Sequence, residues 1–182
     1  MKALLDACVL YPTVLREILI AVACRGLYTP LWSERILEEW ARATIKLGSG
    51  ADLIARGEGA ALRVAFPQAA VAPREGLAAR LWLPDPNDIH VLAAAITGGA
   101  EVIITFNAAD FPRHTLAEEG LARLDPDQFL LMLWQKNPDP VTAAVKAVVA
   151  EAERLSGRPQ PLRALLKRAQ LPRLGKALNA DG

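Results

Sequence analysis

Histidine and cysteine are scarce, with 2 of each in 182 residues. No Cys/His set has zinc-ligand spacing, which removes a zinc centre from consideration. Cys8 and Cys24 are expected to be reduced, buried thiols, one at a strand end and one late in a helix, both on apolar faces. Long apolar runs are missing as well. Ile18–Cys24 and Phe129–Trp134 are the longest, far short of the ~18–20 residues that cross a bilayer, so no transmembrane helix is expected. Asp6 interrupts the first apolar stretch, and Pro12, Arg16 and Glu17 spoil a secretory h-region, so a cytoplasmic protein is expected. There is no Gly-x-Gly-x-x-Gly turn and no Gly-Lys-Ser/Thr loop, which excludes the dinucleotide-binding and P-loop folds.

The chain does contain enough apolar sequence for a core, at 52% hydrophobic and 23% charged residues, in the range of folded globular domains. Its length suits one α/β core plus an appendage. Net charge is only +1, but residues 1–137 carry 13 basic and 16 acidic groups and residues 138–182 carry 8 and 4. From Arg154 to Lys176 seven basic residues, among them Arg163, Lys167, Arg168 and Arg173, occur with no acid between them. A solvated helical face and a grip on RNA are both open readings of that stretch.

Residues 2–6 (KALLD) read as a strand ending in a carboxylate. A helix from near Pro12 follows, with Leu15, Ile18, Leu19 and Val22 at helical spacing. Tyr28–Leu31 suggests a second strand. Ser33 is a plausible N-cap for a helix that puts Ile36, Leu37 and Trp40 on one face. A further helix is expected over Asp52 to Phe66 and a strand over Ala69 to Ala72. Pro84-Asp85-Pro86-Asn87 makes a loop, Asp88 to Thr97 an alanine-rich helix stopped by Gly98-Gly99, and Val102 to Phe106 a buried strand. Strand–helix alternation without hairpin signals implies a mostly parallel sheet with helices on both faces and sites at the carboxyl ends of its strands. After Asp125-Pro126 only helices are expected, and a boundary is placed near Asn137, dividing a domain over 1–137 from a basic helical extension over 138–182.

Four acids fall where such a sheet gathers side chains: Asp6 after the first strand, Glu39 within a helix, Asp88 opening a helix and Asp110 beyond the last apolar strand. Glu38 competes with Glu39 for the inward direction. Unpaired carboxylates in one place repel each other unless a divalent cation compensates them. Oxygen ligands without Cys or His select Mg²⁺ or Mn²⁺ over zinc, and such ions activate water in phosphodiester hydrolysis. Taken singly, each acid reads equally well as a cap or a solvated group; Asp88 in the first turn would favour the helix dipole with no further duty.

The segments LLDACVLYP, WSERILEEW, LPDPNDIHVLAAAI and VIITFNAADFP resemble, in order and spacing, the successive signatures of PIN-domain proteins. The resemblance covers roughly residues 1–135 and is strongest over 84–112. It implies a parallel sheet of about five strands flanked by helices. It also implies a metal-dependent nuclease site formed by Asp6, Glu39, Asp88 and Asp110 and lined by Thr105, Asn107 and Asp85. Many members are VapC-type toxins, ribonucleases neutralised by an antitoxin and commonly self-associating, so RNA, an antitoxin and a second copy are the implied partners. Asn107 stands where many relatives have another acid. The helical extension resembles that of a longer subgroup.

A haloacid-dehalogenase-like phosphatase would also place an aspartate after strand one, but it needs a second acid at the position of Cys8. A PIN-like scaffold that binds RNA or protein without cutting is the other rival, and retention of all four acids argues against it. His90 and His114 lack a sequence partner for general-base work. Trp40 and Trp134 lie on apolar faces, whereas Trp32 and Trp82 border loops and are open as stacking platforms.

Overall fold

The computed structural model describes residues 1–180. Its elements in chain order are β1 (Lys2–Leu5), α1 (Ala7–Leu10), α2 (Thr13–Ala23), β2 (Thr29–Leu31), α3 (Glu34–Thr44), α4 (Ala51–Ala65), α5 (Leu77–Arg80), α6 (Ile89–Gly98), β3 (Val102–Ile104), α7 (Arg113–Glu118), β4 (Ala122–Leu124), α8 (Pro126–Lys136), α9 (Pro138–Ser156), α10 (Leu162–Arg168) and α11 (Pro172–Ala180). The chain gathers into two compact units, one made of Met1–Tyr11 and Thr29–Leu124 and the other of Pro12–Tyr28 and the segment from Asp125 onward.

The first unit holds an all-parallel sheet in the order β2-β1-β3-β4. Ala3–Leu5 and all of β3 are buried, which is why these strands read as continuous apolar runs rather than alternating ones. Because β2 lies on one side of β1 and β3 on the other, the chain reverses direction at the β1/β3 pair. In open parallel sheets that switch point, at the carboxyl ends, is where ligands bind. Ala3 aligns with Val102 and Leu5 with Ile104, and the Asp6 N–H donates to the Ile104 carbonyl at 3.2 Å. The residues that follow β1 and β3 therefore emerge side by side.

Ser33 caps α3 as expected, accepting from the Ile36 N–H at 3.2 Å. The helix seats Ile36, Leu37 and Trp40 against α4. The stretch expected as a strand over 69–72 contributes a single parallel bridge, Trp32 to Ala70. Trp32 is 0% exposed, which removes it as a stacking platform. Strand β3 stops at Ile104, two residues earlier than the apolar run suggests, because Thr105 and Phe106 turn into the loop that carries Asn107.

The second unit is helical. Helix α2 packs on α9, and α8 packs on α9 and α11. Tyr28 meets Phe129 edge to face with centroids 4.9 Å apart, and its hydroxyl donates to the Leu19 carbonyl. Buried Asp127 accepts the Arg173 and Leu174 N–H groups at 2.9 and 3.0 Å, satisfying two donors that the first turn of α11 leaves without intrahelical partners. Val141, Ala144 and Val145 of α9 are buried, but Leu155 is exposed. Cys24 is exposed at the end of α2, contrary to the buried thiol expected. The α2 stripe consists of Leu15, Ile18, Leu19 and Val22, and a residue two places beyond Val22 turns away from it.

Candidate functional site

Asp6 is fixed at the end of β1 by the backbone and by two side chains. Its Oδ1 accepts the Ala7 N–H at 2.7 Å, capping α1. Its Oδ2 accepts the Thr105 hydroxyl at 2.6 Å and the Cys8 thiol at 3.2 Å. Thr105 in turn accepts the Asn107 N–H at 3.0 Å, so the residues leaving β1 and β3 form one network. Cys8 lies on α1, half-buried, rather than on a strand end. Burial first, then the nearby Asp6 charge, pushes its thiol up to about 12. The sulfur also accepts the Phe106 N–H at 3.3 Å.

Asn107 extends the network to the other acids. Its Nδ2 donates to Asp88 Oδ2 at 3.0 Å, and its Oδ1 accepts the Asp110 N–H at 3.4 Å. Asp88 sits at the entrance of α6 and makes no side-chain cap bond to it, so capping does not account for its presence. Asp85 accepts both the N–H and the Nδ2 of Asn87, which closes the turn that presents Asp88. Carboxylate oxygens of Asp85, Asp88 and Asp110 all lie within 4.8 Å of one another.

Asp6 and Glu39 lie outside that tight group, yet both are close enough to act on Asp88. Burial first, then Asp6, Asp85, Asp110 and Glu39, raises Asp88 to about 6. Helix α3 resolves the competition between its two adjacent acids. Glu38 pairs with Arg42 at 2.8 Å and with Arg56 of α4, which hold its carboxyl down at about 2. Glu39 turns the other way, with Oε1 2.9 Å from Arg35 Nε and 3.0 Å from His90 Nε2. The His90 side chain is 10% exposed. Its burial lowers the imidazole below its ordinary value, against the opposing pull of Glu39. Single-residue reasoning misses this contact because its two members are 51 positions apart. His114 lies in α7.

Among the described residues, no lysine or arginine forms an ion pair with Asp85, Asp88 or Asp110, whereas Glu34, Glu38, Glu119 and Glu151 each have an arginine. Clustered, half-buried and uncompensated oxygens are suited to a hard divalent cation. The basic residues Arg163, Lys167, Arg168, Arg173 and Lys176 are exposed on α10 and α11 in the other unit.

A family model described as a PIN domain matches residues 2–109. This is more than half of the chain, which belongs to the PIN-domain family. Over 63 residues the chain is 43% identical to a protein of Mycobacterium tuberculosis (strain ATCC 25618 / H37Rv) named "Putative ribonuclease VapC50". That match spans 35% of this chain and 35% of the relative. No solved structure matches the chain.

Self-repulsion at Asp88 gives a stability prediction. A carboxyl whose folded-state value is raised from 3.8 to about 6 binds more protons folded than unfolded between those limits. Its contribution is therefore most favourable below pH 4 and is lost as pH rises to 6. Asp88→Asn should raise the melting temperature of metal-free protein at pH 7.5 by roughly 2–4 °C, taking about 1 kcal/mol after solvent screening. The gain should vanish at pH 4. A melting temperature lowered at pH 7.5 would show that the Asp88 charge is compensated.

Proposed function

We propose that this PIN-domain protein is a metal-dependent endoribonuclease, with Mg²⁺ or Mn²⁺ held by Asp88 and Asp110 together with Asp85, and with Asp6 and Glu39 completing the acidic site. The observation that carries the reading is the group of three uncompensated carboxylates beside the β1/β3 switch point. When bound, the ion supplies positive charge to the scissile phosphate and lowers the pKa of an attacking water.

The chain's own residues hold this site in shape. Thr105 and the Ala7 N–H fix both oxygens of Asp6. Asn107 ties Asp88 to the loop of Asp110, and its neutral amide eases repulsion where another carboxylate would add to it. Thr105 and Asn107 are thus positioning residues. Arg35 donates to the Glu39 carboxylate and orients it. The resemblance to VapC-type proteins supports a toxin neutralised by an antitoxin encoded nearby, working as a homodimer in the cytoplasm; among the described residues no helix is long and apolar enough to cross a membrane. Residues 1–137 act as the nuclease domain in this reading, and the helices over 138–182 as a basic appendage.

Purified protein should cut single-stranded RNA with Mg²⁺ or Mn²⁺ and stop in EDTA, and undiminished cutting in EDTA would refute the mechanism. Asp6→Asn and Asp88→Asn should each remove most activity, and the double variant should add little, since residues acting as a unit are not additive. Growth arrest on expression, relieved by the neighbouring reading frame, supports the toxin assignment. Harmless expression with intact cleavage favours an RNA-processing role.

The exposed cations of α10 and α11 are proposed to meet RNA phosphates. Buried Leu165, Leu166, Leu171 and Leu174 hold these helices within their unit, so charge substitutions test this better than truncation. Replacing Lys167, Arg168 and Lys176 by glutamine should flatten the dependence of log affinity on log salt by about 0.7 for each phosphate that is no longer neutralised. An unchanged slope would remove them from the RNA interface.

A further inference from the structure

The first unit has a small pocket whose lining includes none of Asp6, Glu39, Asp85, Asp88 and Asp110. It has a volume of about 280 Å³ and is lined by Leu81, Trp82, Leu92, His114 and Thr115. Leu81, Leu92 and Thr115 are buried and form its floor, while Trp82 is 64% exposed. Among the described residues no other tryptophan is exposed. At this volume, near the ~300 Å³ lower limit for ligand sites, the pocket suits a single planar ring system.

Two segments build the pocket, and the same two segments deliver the acids. Trp82 precedes Asp85 by three residues, at most about 11 Å of extended chain, and Leu92 is one turn along α6 from Asp88. His114 and Thr115 follow Asp110 at the start of α7. Arg80 and Glu119 lock the two segments together through paired hydrogen bonds of 2.6 and 2.9 Å. Trp82 is thus presented on a braced loop that runs on into the Asp85–Asp88 turn.

The charge at the rim argues for a base and against a phosphate. Arg80 is taken up by Glu119, and Glu118 is exposed with no ion pair among the described residues. The surplus charge is negative, so it repels the backbone of a nucleic acid and accepts hydrogen bonds from the N–H groups of a base edge. An indole face stacks on any base.

We infer that Trp82 and this pocket form a subsite for an unpaired nucleobase of the RNA strand, next to the phosphate held at the acidic site. The inference rests on the ribonuclease reading and names the part of the substrate beyond the scissile bond. Uncharged contacts with a remote base act alike on bound substrate and transition state, so the effect of removing them lies in KM.

The test uses the full-length protein and short single-stranded RNA, with binding followed by fluorescence anisotropy and cleavage followed in Mn²⁺. Trp82→Ala should weaken binding and raise KM by about tenfold, the usual scale for one stacked base. Trp82→Phe should restore most of the affinity, and both variants should melt like the parent because the ring is exposed. An abasic residue beside the cleavage position should cost wild type the same factor and cost Trp82→Ala little, the non-additivity expected of direct partners. Wild-type affinity and KM in Trp82→Ala would overturn the subsite while leaving the nuclease reading intact. Loss of antitoxin capture in that variant, with RNA affinity unchanged, would overturn it in favour of a protein-docking surface. If wild type cuts no RNA, the nuclease reading fails instead, and a Trp82-dependent affinity that persists supports the base contact alone.

Discussion

Uncompensated negative charge at the carboxyl end of the β1/β3 pair is the constraint on which the rest of the first unit depends. Several acids elsewhere are neutralised by arginine, as at Glu34 with Arg63, Glu38 with Arg42 and Arg56, and Glu119 with Arg80. Among the described residues, Asp85 and Asp88 accept from neutral donors, the Asn87 N–H and amide at Asp85 and the Asn107 amide at Asp88. A self-repelling cluster on a flexible loop would spread apart. Here the ends of two adjacent strands, the first turn of α6 and the Asp6–Thr105–Asn107 chain of hydrogen bonds keep it together, so the folded state carries the repulsion.

Much of this was legible in the chain. The apolar runs of β1 and β3, the Ser33 cap and the glycine stop of α6 each follow from local chemistry, and together they imply the parallel sheet. Asp6 and Asp88 are recognisable because one directly follows β1 and the other opens α6, whereas Asp110 lies in the loop six residues beyond β3. Asp85 reads first as a turn residue, and its turn bond to Asn87 is indeed present. Its place in the tight acidic group depends on how the 85–88 turn folds back toward Asp110, which no local signal records. Glu38 is committed to Arg42 and to Arg56 of α4, a partner distant in sequence.

Other features were hidden for similar reasons. Strand β4 consists of three residues, Ala122–Leu124, one of them arginine, and owes its existence to pairing with β3 rather than to intrinsic preference. Helix α2 follows directly on α1 in sequence yet belongs with α8 and α9, a grouping created by tertiary packing of its apolar stripe. Trp32 and Trp82 look alike in sequence, both beside loops. Only the fold buries the first, which bridges to Ala70, and leaves the second exposed.

A divalent ion bound by Asp88 and Asp110, rather than acidity in general, is what the proposed chemistry requires, and a Mn²⁺ titration followed by electron paramagnetic resonance tests this without any RNA. Wild type and Glu38→Gln should bind Mn²⁺ alike, because Glu38 is already committed to Arg42 and Arg56, whereas Asp88→Asn and Asp110→Asn should each lose most of the affinity. Mn²⁺ bound equally well by all four proteins would contradict the assignment of the site.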